Sequence, residues 1–149
     1  MIVSPLLHKD VVHIPTSYRV ASDGFSYEHT PLESVPVEQT ERLYQTILAA
    51  VGRGNPPMSR DEFGNLSTSK TTPMLMATGA RSWHALDREM KGSWSITDRN
   101  GFYEIRVDQP MQPRGWHEDK AQRIEFPPGT PVEDVITRLI AMIQERARQ

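Results

Sequence analysis

Asn100-Gly101 constrains this chain more than any other feature. The pair separates two stretches, KGSWSITDR and FYEIRVD, and Asn-Gly is the dipeptide that most favours a two-residue type I′ hairpin turn. Such a turn pairs Arg99 with Phe102, Asp98 with Tyr103, Thr97 with Glu104, Ile96 with Ile105, Ser95 with Arg106 and Trp94 with Val107. One face of the ribbon then carries Trp94, Ile96, Ile105 and Val107, and the other Ser95, Thr97, Glu104 and Arg106. A slip of one residue would turn the whole apolar set into water, so turn chemistry and side-chain pattern specify the same register. The ribbon belongs to a one-sided sheet whose apolar face needs a layer of helices.

The last element supplies part of that layer. Val132, Val135, Ile136, Leu139, Ile140 and Ile143 make a wide apolar stripe at helical spacing. Thr130 is its predicted N-cap, Pro131 its first helical residue, and Glu133 completes the capping-box spacing. A first helix is predicted from about Val37 to Val51, with Leu43, Tyr44, Ile47, Leu48 and Val51 on its buried face and Gly52 and Gly54 stopping it. Ser82 is suited to cap a short helix that carries Trp83, Leu86 and Met90 on one side. Ser59 with Glu62 has capping-box spacing for a shorter helical turn, and Ser67, Thr68 and Ser69 read as loop.

Val11–Val20 has strand composition, but Pro15 removes a backbone donor and points to an edge position or a bend. The polar stretch from Ala21 to Pro36 reads as a long irregular loop with a turn at Asp23-Gly24, because Pro31 and Pro36 oppose regular structure. Pro73–Ala77 fits either a short buried strand or a helix start. Ile124 and Phe126 alternate with Arg123 and Glu125 as in a third strand over Gln122–Phe126. These readings define an α+β fold with residues 1–149 as a single domain. Its mainly antiparallel sheet has a central hairpin at about residues 93–108, packed by helices that include a C-terminal one at about residues 131–147.

Composition limits the chemistry. Seventeen basic and 19 acidic residues leave a net charge of −2, which argues against a dedicated duplex-DNA binder. The absence of cysteine removes disulfides, thiolate zinc sites and cysteine nucleophiles. Met1–Leu7 lacks the basic start and cleavage site of a signal peptide, and no apolar run approaches a membrane span, so a cytoplasmic protein is expected. The five histidines, His8, His13, His29, His84 and His117, have no helical zinc spacing. Gly52-Arg53-Gly54 follows a helix where a dinucleotide motif needs a strand, and no Gly-x-Ser-x-Gly nucleophile elbow occurs. No catalytic residues and no metal ligands are assigned.

Trp83, Trp94 and Trp116, near Arg81, Arg88, Arg106 and Arg114, fit a single-strand nucleic-acid surface only if the tryptophans are exposed. Trp83 and Trp94 fall at positions predicted to be buried, which leaves Trp116 as the one expected at an interface.

From Thr71 onward the chain resembles a known family. An Ala77-Thr78-Gly79 segment, a Ser82-Trp83 helix, the hairpin, Arg114-Gly115-Trp116, a short strand and a Thr130-Pro131 helix start together resemble the CdiI-type immunity proteins of bacterial contact-dependent growth inhibition systems. The resemblance covers the C-terminal half. It implies a protein that forms a 1:1 heterodimer with the C-terminal toxin domain of a cognate CdiA-like surface protein and blocks its active site. That toxin is expected to be a nuclease, in several relatives a tRNA-cleaving one. No catalysis, cofactor, membrane partner or direct nucleic-acid contact is implied; the alternative is a small RNA- or single-strand-binding module using the polar sheet face. A basic nuclease cleft calls for an acidic inhibitor surface. Exposure and charge nominate Glu28 and Glu33 in the first loop, Asp61 and Glu62 in the second, and Trp116, Glu118 and Asp119 in the third.

Overall fold

The hairpin turn forms as predicted, with Asn100 and Gly101 at φ 55° and 80°, and all six predicted pairs are present. This computed structural model describes residues 1–21, 26–68, 72–111 and 115–149; the predicted Asp23-Gly24 turn, and Ser69 and Arg114, lie outside them. Along the chain come β1 (Ile2–Val3), β2 (Leu6–His8), β3 (Val11–Val20), β4 (Ser26–Pro36), α1 (Thr40–Arg53), β5 (Pro57–Met58), α2 (Arg60–Ser67), α3 (Pro73–Thr78), α4 (Trp83–Glu89), β6 (Met90–Arg99), β7 (Phe102–Pro110), β8 (Trp116–Glu118), a 3-10 turn (Lys120–Gln122), β9 (Ile124–Glu125) and α5 (Val132–Ala147). The architecture is α+β. One open sheet runs in the order β4-β3-β2-β6-β7-β8, with β1 on β6 and β9 on β7; every pairing is antiparallel except that of β5 with β3.

The apolar face of the hairpin is the centre of the core. Trp94, Ile96, Ile105 and Val107 are buried with Leu7, Val12, Ile14 and Val35 of the neighbouring strands. Leu43 and Ile47 of α1 and Val135, Ile136, Leu139, Ile140 and Ile143 of α5 cover them. No helix among the described residues is long and apolar enough to cross a membrane.

The expected edge position of Val11–Val20 and the expected loop at Ala21–Pro36 are both corrected, whereas the alternative of an irregularity at Pro15 agrees with the register. β3 is an interior strand, held by β4 on one side and β2 on the other. It tolerates Pro15 because the β3–β4 register shifts between Ile14 and Thr16, so the missing donor falls where the ladder is already interrupted. The predicted loop is largely β4, which takes the edge position instead. An edge strand leaves one row of backbone groups unpaired, and that row accommodates Pro31 and Pro36.

The helix starts also differ in detail. α1 begins at Thr40 without a side-chain cap, and it ends at Gly54, whose φ of 64° lets its N–H return to the carbonyls of Ala50 and Val51. The cap of α5 is Pro131 rather than Thr130, whose hydroxyl donates to the Pro127 carbonyl, so the predicted box with Glu133 does not form. Glu133 and Asp134 still favour the positive end of that helix. α2 has the predicted capping box in full: the Ser59 hydroxyl accepts from the Glu62 N–H, and the Glu62 carboxylate accepts from the Ser59 N–H. Pro73–Ala77 resolves as helix, within α3.

Candidate functional site

The second face of the sheet carries the chemistry. In β-strands, paired residues share a face, and pairing links Ser34, His13, Leu6, Ser93, Asp108 and Glu118 into one row across six strands. Five of the six are polar, whereas the adjacent row through Val35, Val12 and Leu7 belongs to the core. On the same face Glu28 pairs with Ser17 of β3.

Several of these groups are unusually placed. His8, His13 and Ser17 are all buried. His13 Nδ1 lies 2.8 Å from Ser34 Oγ, and His8 Nε2 lies 3.0 Å from Glu89 on α4. Among the described residues, His13 Nε2 and Ser17 Oγ have no hydrogen-bond partner. Buried polar atoms without partners are rare, because each forfeits its hydration. Glu28 is exposed along its side chain, yet the protein around its carboxyl raises its pKa, chiefly by desolvation, with the nearby Ser4 hydroxyl opposing that effect and the Asp108 charge adding to it. Asp108 is raised too, first by burial, against a hydrogen bond from Ser93 Oγ, and further by Glu118.

Burial and the neighbouring His8 lower the His13 pKa from 6.5 to about 4. The unfolded chain therefore accepts a proton that folded His13 refuses. Its contribution to stability is complete above pH 6.5 and is lost as the pH falls toward about 4. The melting temperature of the wild type is expected to fall more steeply over this range than that of His13→Gln. The raised carboxyls act in the opposite direction but are common to both proteins, so equal slopes would mean that folded His13 takes up protons freely.

Toward the hairpin tip the same face is an ion-pair network. Burial disfavours the Glu104 anion, but hydrogen bonds from Thr97 and Arg106 and the charge of Arg123 outweigh it, and the net pKa is lowered. Arg106 Nε reaches Glu104 at 2.6 Å, and Arg123 Nε reaches Glu118 at the same distance. Both arginines are thereby committed. Arg106, the residue nominated for nucleic acid, is not a free cation on this face.

The seven nominated partner-binding residues fall in different places. Glu28 lines a cavity of about 160 Å³ with Tyr27, His29, Leu32, Met74 and Trp83. Glu62 lines a cavity of about 490 Å³ with Tyr18, His29 and Met58, so His29 stands between these two acids. Glu33 pairs with Ile14 of the helix-covered face, which separates it from Glu28 on the same strand. Glu62, Glu118 and Asp119 have local duties: the α2 capping box, the bond to Arg123, and a cap for the 3-10 turn through the Ala121 N–H. Asp61 is exposed in the first turn of α2.

Two tryptophans trade roles. Trp116 is half-buried on β8, and its indole N–H donates to the Asp87 carbonyl at 3.2 Å, tying the far edge of the sheet to α4. Trp83, predicted buried, is 50% exposed because it opens α4 while Leu86, a turn later, takes the buried position. Met76 of α3 is 70% exposed. Single-helix periodicity cannot tell which member of an apolar stripe meets the core, and the hairpin register marks only the Ser93–Asp108 part of the polar row. Among the described residues, no group of three or more His, Asp or Glu can hold a metal ion.

The fold defines a class, a single α+β domain built on one open sheet with two core helices. No family model matches the chain, and no curated protein matches it. A protein of unknown function from Neisseria meningitidis, NMB0488, has a similar structure, with a TM-score of 0.68 at 16% identity over 97% of this chain and 93% of that one. At that identity the likeness extends to the fold alone.

Proposed function

We propose that this protein is an immunity protein of a contact-dependent growth inhibition system. In the cytoplasm of the producing cell it binds the C-terminal toxin domain of a CdiA-like protein, a nuclease, as a 1:1 complex and blocks the active site without catalysis of its own. The observation that carries this reading is the charge balance of the second sheet face. Glu28, Glu104, Asp108 and Glu118 contribute to it, whereas its arginines, Arg106 and Arg123, are spent on Glu104 and Glu118. Such a face attracts a basic protein surface and repels phosphate. The resemblance of the C-terminal half to CdiI-type proteins adds independent support, and the acidic balance weighs against the RNA-binding alternative.

The test is calorimetry with the C-terminal domain encoded immediately upstream. Nanomolar association at equal stoichiometry, with loss of nuclease activity at equivalence, is expected. Failure to bind, together with a salt-sensitive mobility shift on tRNA, would overturn the reading in favour of RNA binding. Within the complex, Asp61→Lys is expected to weaken association by about tenfold at low salt and to leave the melting temperature unchanged. Undiminished affinity would remove the start of α2 from the interface. Glu62 is unsuited to the same test because its substitution also breaks the cap of α2.

A further inference from the structure

We infer that the cavity between α5 and the 3-10 turn binds a small organic oxyanion, a phosphate or carboxylate on an apolar body, through Arg138 and Arg146. The inference is independent of the immunity reading: the cavity lies on the helix-covered side of the sheet, and none of the acids nominated for the toxin lines it.

The cavity has a volume of about 360 Å³, within the range of pockets that hold small ligands. Part of its wall is a stripe of α5. Arg138, Met142 and Arg146 recur every fourth residue, so they stand one above another on a single helix face, next to the buried Leu139 and Ile143. Gln122 of the 3-10 turn, Ile124 of β9 and the buried Trp94 of β6 complete that wall. The lining thus combines two arginines with an apolar patch of Trp94, Ile124 and Met142.

Both arginines have donors to spare. Arg138 is exposed and has no hydrogen-bond or ion-pair partner among the described residues. Arg146 is half-buried and makes one bond, from Nη1 to the Lys91 carbonyl at 3.3 Å. A guanidinium carries five N–H donors, so most of this capacity is unused. Arg123 lines the cavity too, but Glu118 holds its guanidinium. Glu145 is the acid in the lining, and among the described residues it forms no ion pair with either arginine. Two like charges lining one cavity repel each other, and an oxyanion between them relieves that repulsion. Carboxylate and phosphate are the groups whose geometry matches the guanidinium fork. The apolar patch adds contact to a ligand with a hydrophobic body and little to a bare ion.

The experiment titrates the full-length ¹⁵N-labelled protein at low salt with phenyl phosphate, benzoate, inorganic phosphate and phenol, reading the Trp94 indole and arginine Nε–H resonances. Saturable shifts are expected with phenyl phosphate or benzoate at a dissociation constant of about 1 mM, the tighter of the two giving the class of oxyanion. Inorganic phosphate and phenol are each expected to bind at least about tenfold more weakly, because one lacks the apolar body and the other the charge. Arg138→Gln is expected to weaken binding about tenfold and, at an exposed residue without a partner, to leave the melting temperature unchanged. Arg148→Gln removes an exposed charge from the end of the same helix, outside the cavity, and is expected to leave affinity nearly unchanged. The site would be overturned by the absence of saturable shifts with both organic anions, or by equal binding of inorganic phosphate, an adventitious ion only. Wild-type affinity in Arg138→Gln, or an equal loss in Arg148→Gln, would overturn it as well.

Discussion

Leu139→Asp is expected to leave no cooperatively melting domain. Leu139 is fully buried and belongs to the same cluster as Leu43 and Ile47 of α1 and Trp94 and Ile105 of the sheet. Removing a leucine from such a site costs about 2–5 kcal/mol. A carboxylate there must also either lose its hydration or take a proton well above its usual pKa, which adds several kcal/mol. The sum approaches the whole stability of an ordinary domain, about 5–15 kcal/mol. Circular dichroism on heating is the measurement, and a wild-type melting curve would mean that α5 does not pack on the sheet through this stripe.

Gly92→Ala is the second large effect, at a residue whose neighbours in sequence give no warning. A Cβ at Gly92 would lie 2.4 Å from the Trp94 ring at Cη2, with two more ring atoms at 2.9 Å. Trp94 is 1% exposed, so its ring has nowhere to retreat. Overpacking of this kind costs about 3 kcal/mol, which lowers the melting temperature of a chain this size by about 9 °C. An unchanged melting temperature would mean that the indole does not lie over Gly92. Glycine here serves space rather than a left-handed backbone, since Gly92 lies within β6 and is not among the glycines with positive φ.

Both effects depend on one division of the sheet into an apolar face and a polar one. The apolar face anchors α1 and α5. The second face carries polar side chains in register across six strands, several of them buried, and toward the hairpin tip an ion-pair network that engages Arg106. The nominated acids Glu62, Glu118 and Asp119 are employed in local structure, while Glu28 pairs with Ser17 of β3 and lines a cavity with Met74 and Trp83. Asp108 falls on the polar face that the hairpin register defines, but its row across β2, β3 and β4 is set by pairings distant in sequence.

What the sequence determined by itself was local. Asn100-Gly101 set the turn and with it every pair of the β6–β7 ribbon, because positive φ at two successive residues admits few alternatives. Ser59 and Glu62 wrote the start of α2, Ser82 that of α4, and the six-residue apolar stripe that of α5's buried side, all through contacts within one or two turns. Tertiary structure alone decided the middle and the edges of the sheet. β1 and β2 are two and three residues long, too short for any periodicity, yet β2 lies between β3 and β6. They exist because partners on both sides satisfy their backbone. Asn55, 53 residues away, completes the pairing of Ile2, accepting from its N–H and donating to its carbonyl and to that of Ser17. The interior place of β3, the edge strand β4 where a loop was expected, and the exchange of burial between Trp83 and Trp116 have the same origin. Proline and tryptophan state what an environment must tolerate, but which segment meets that environment is chosen by long-range pairing, whose energy is not written in any window of the chain.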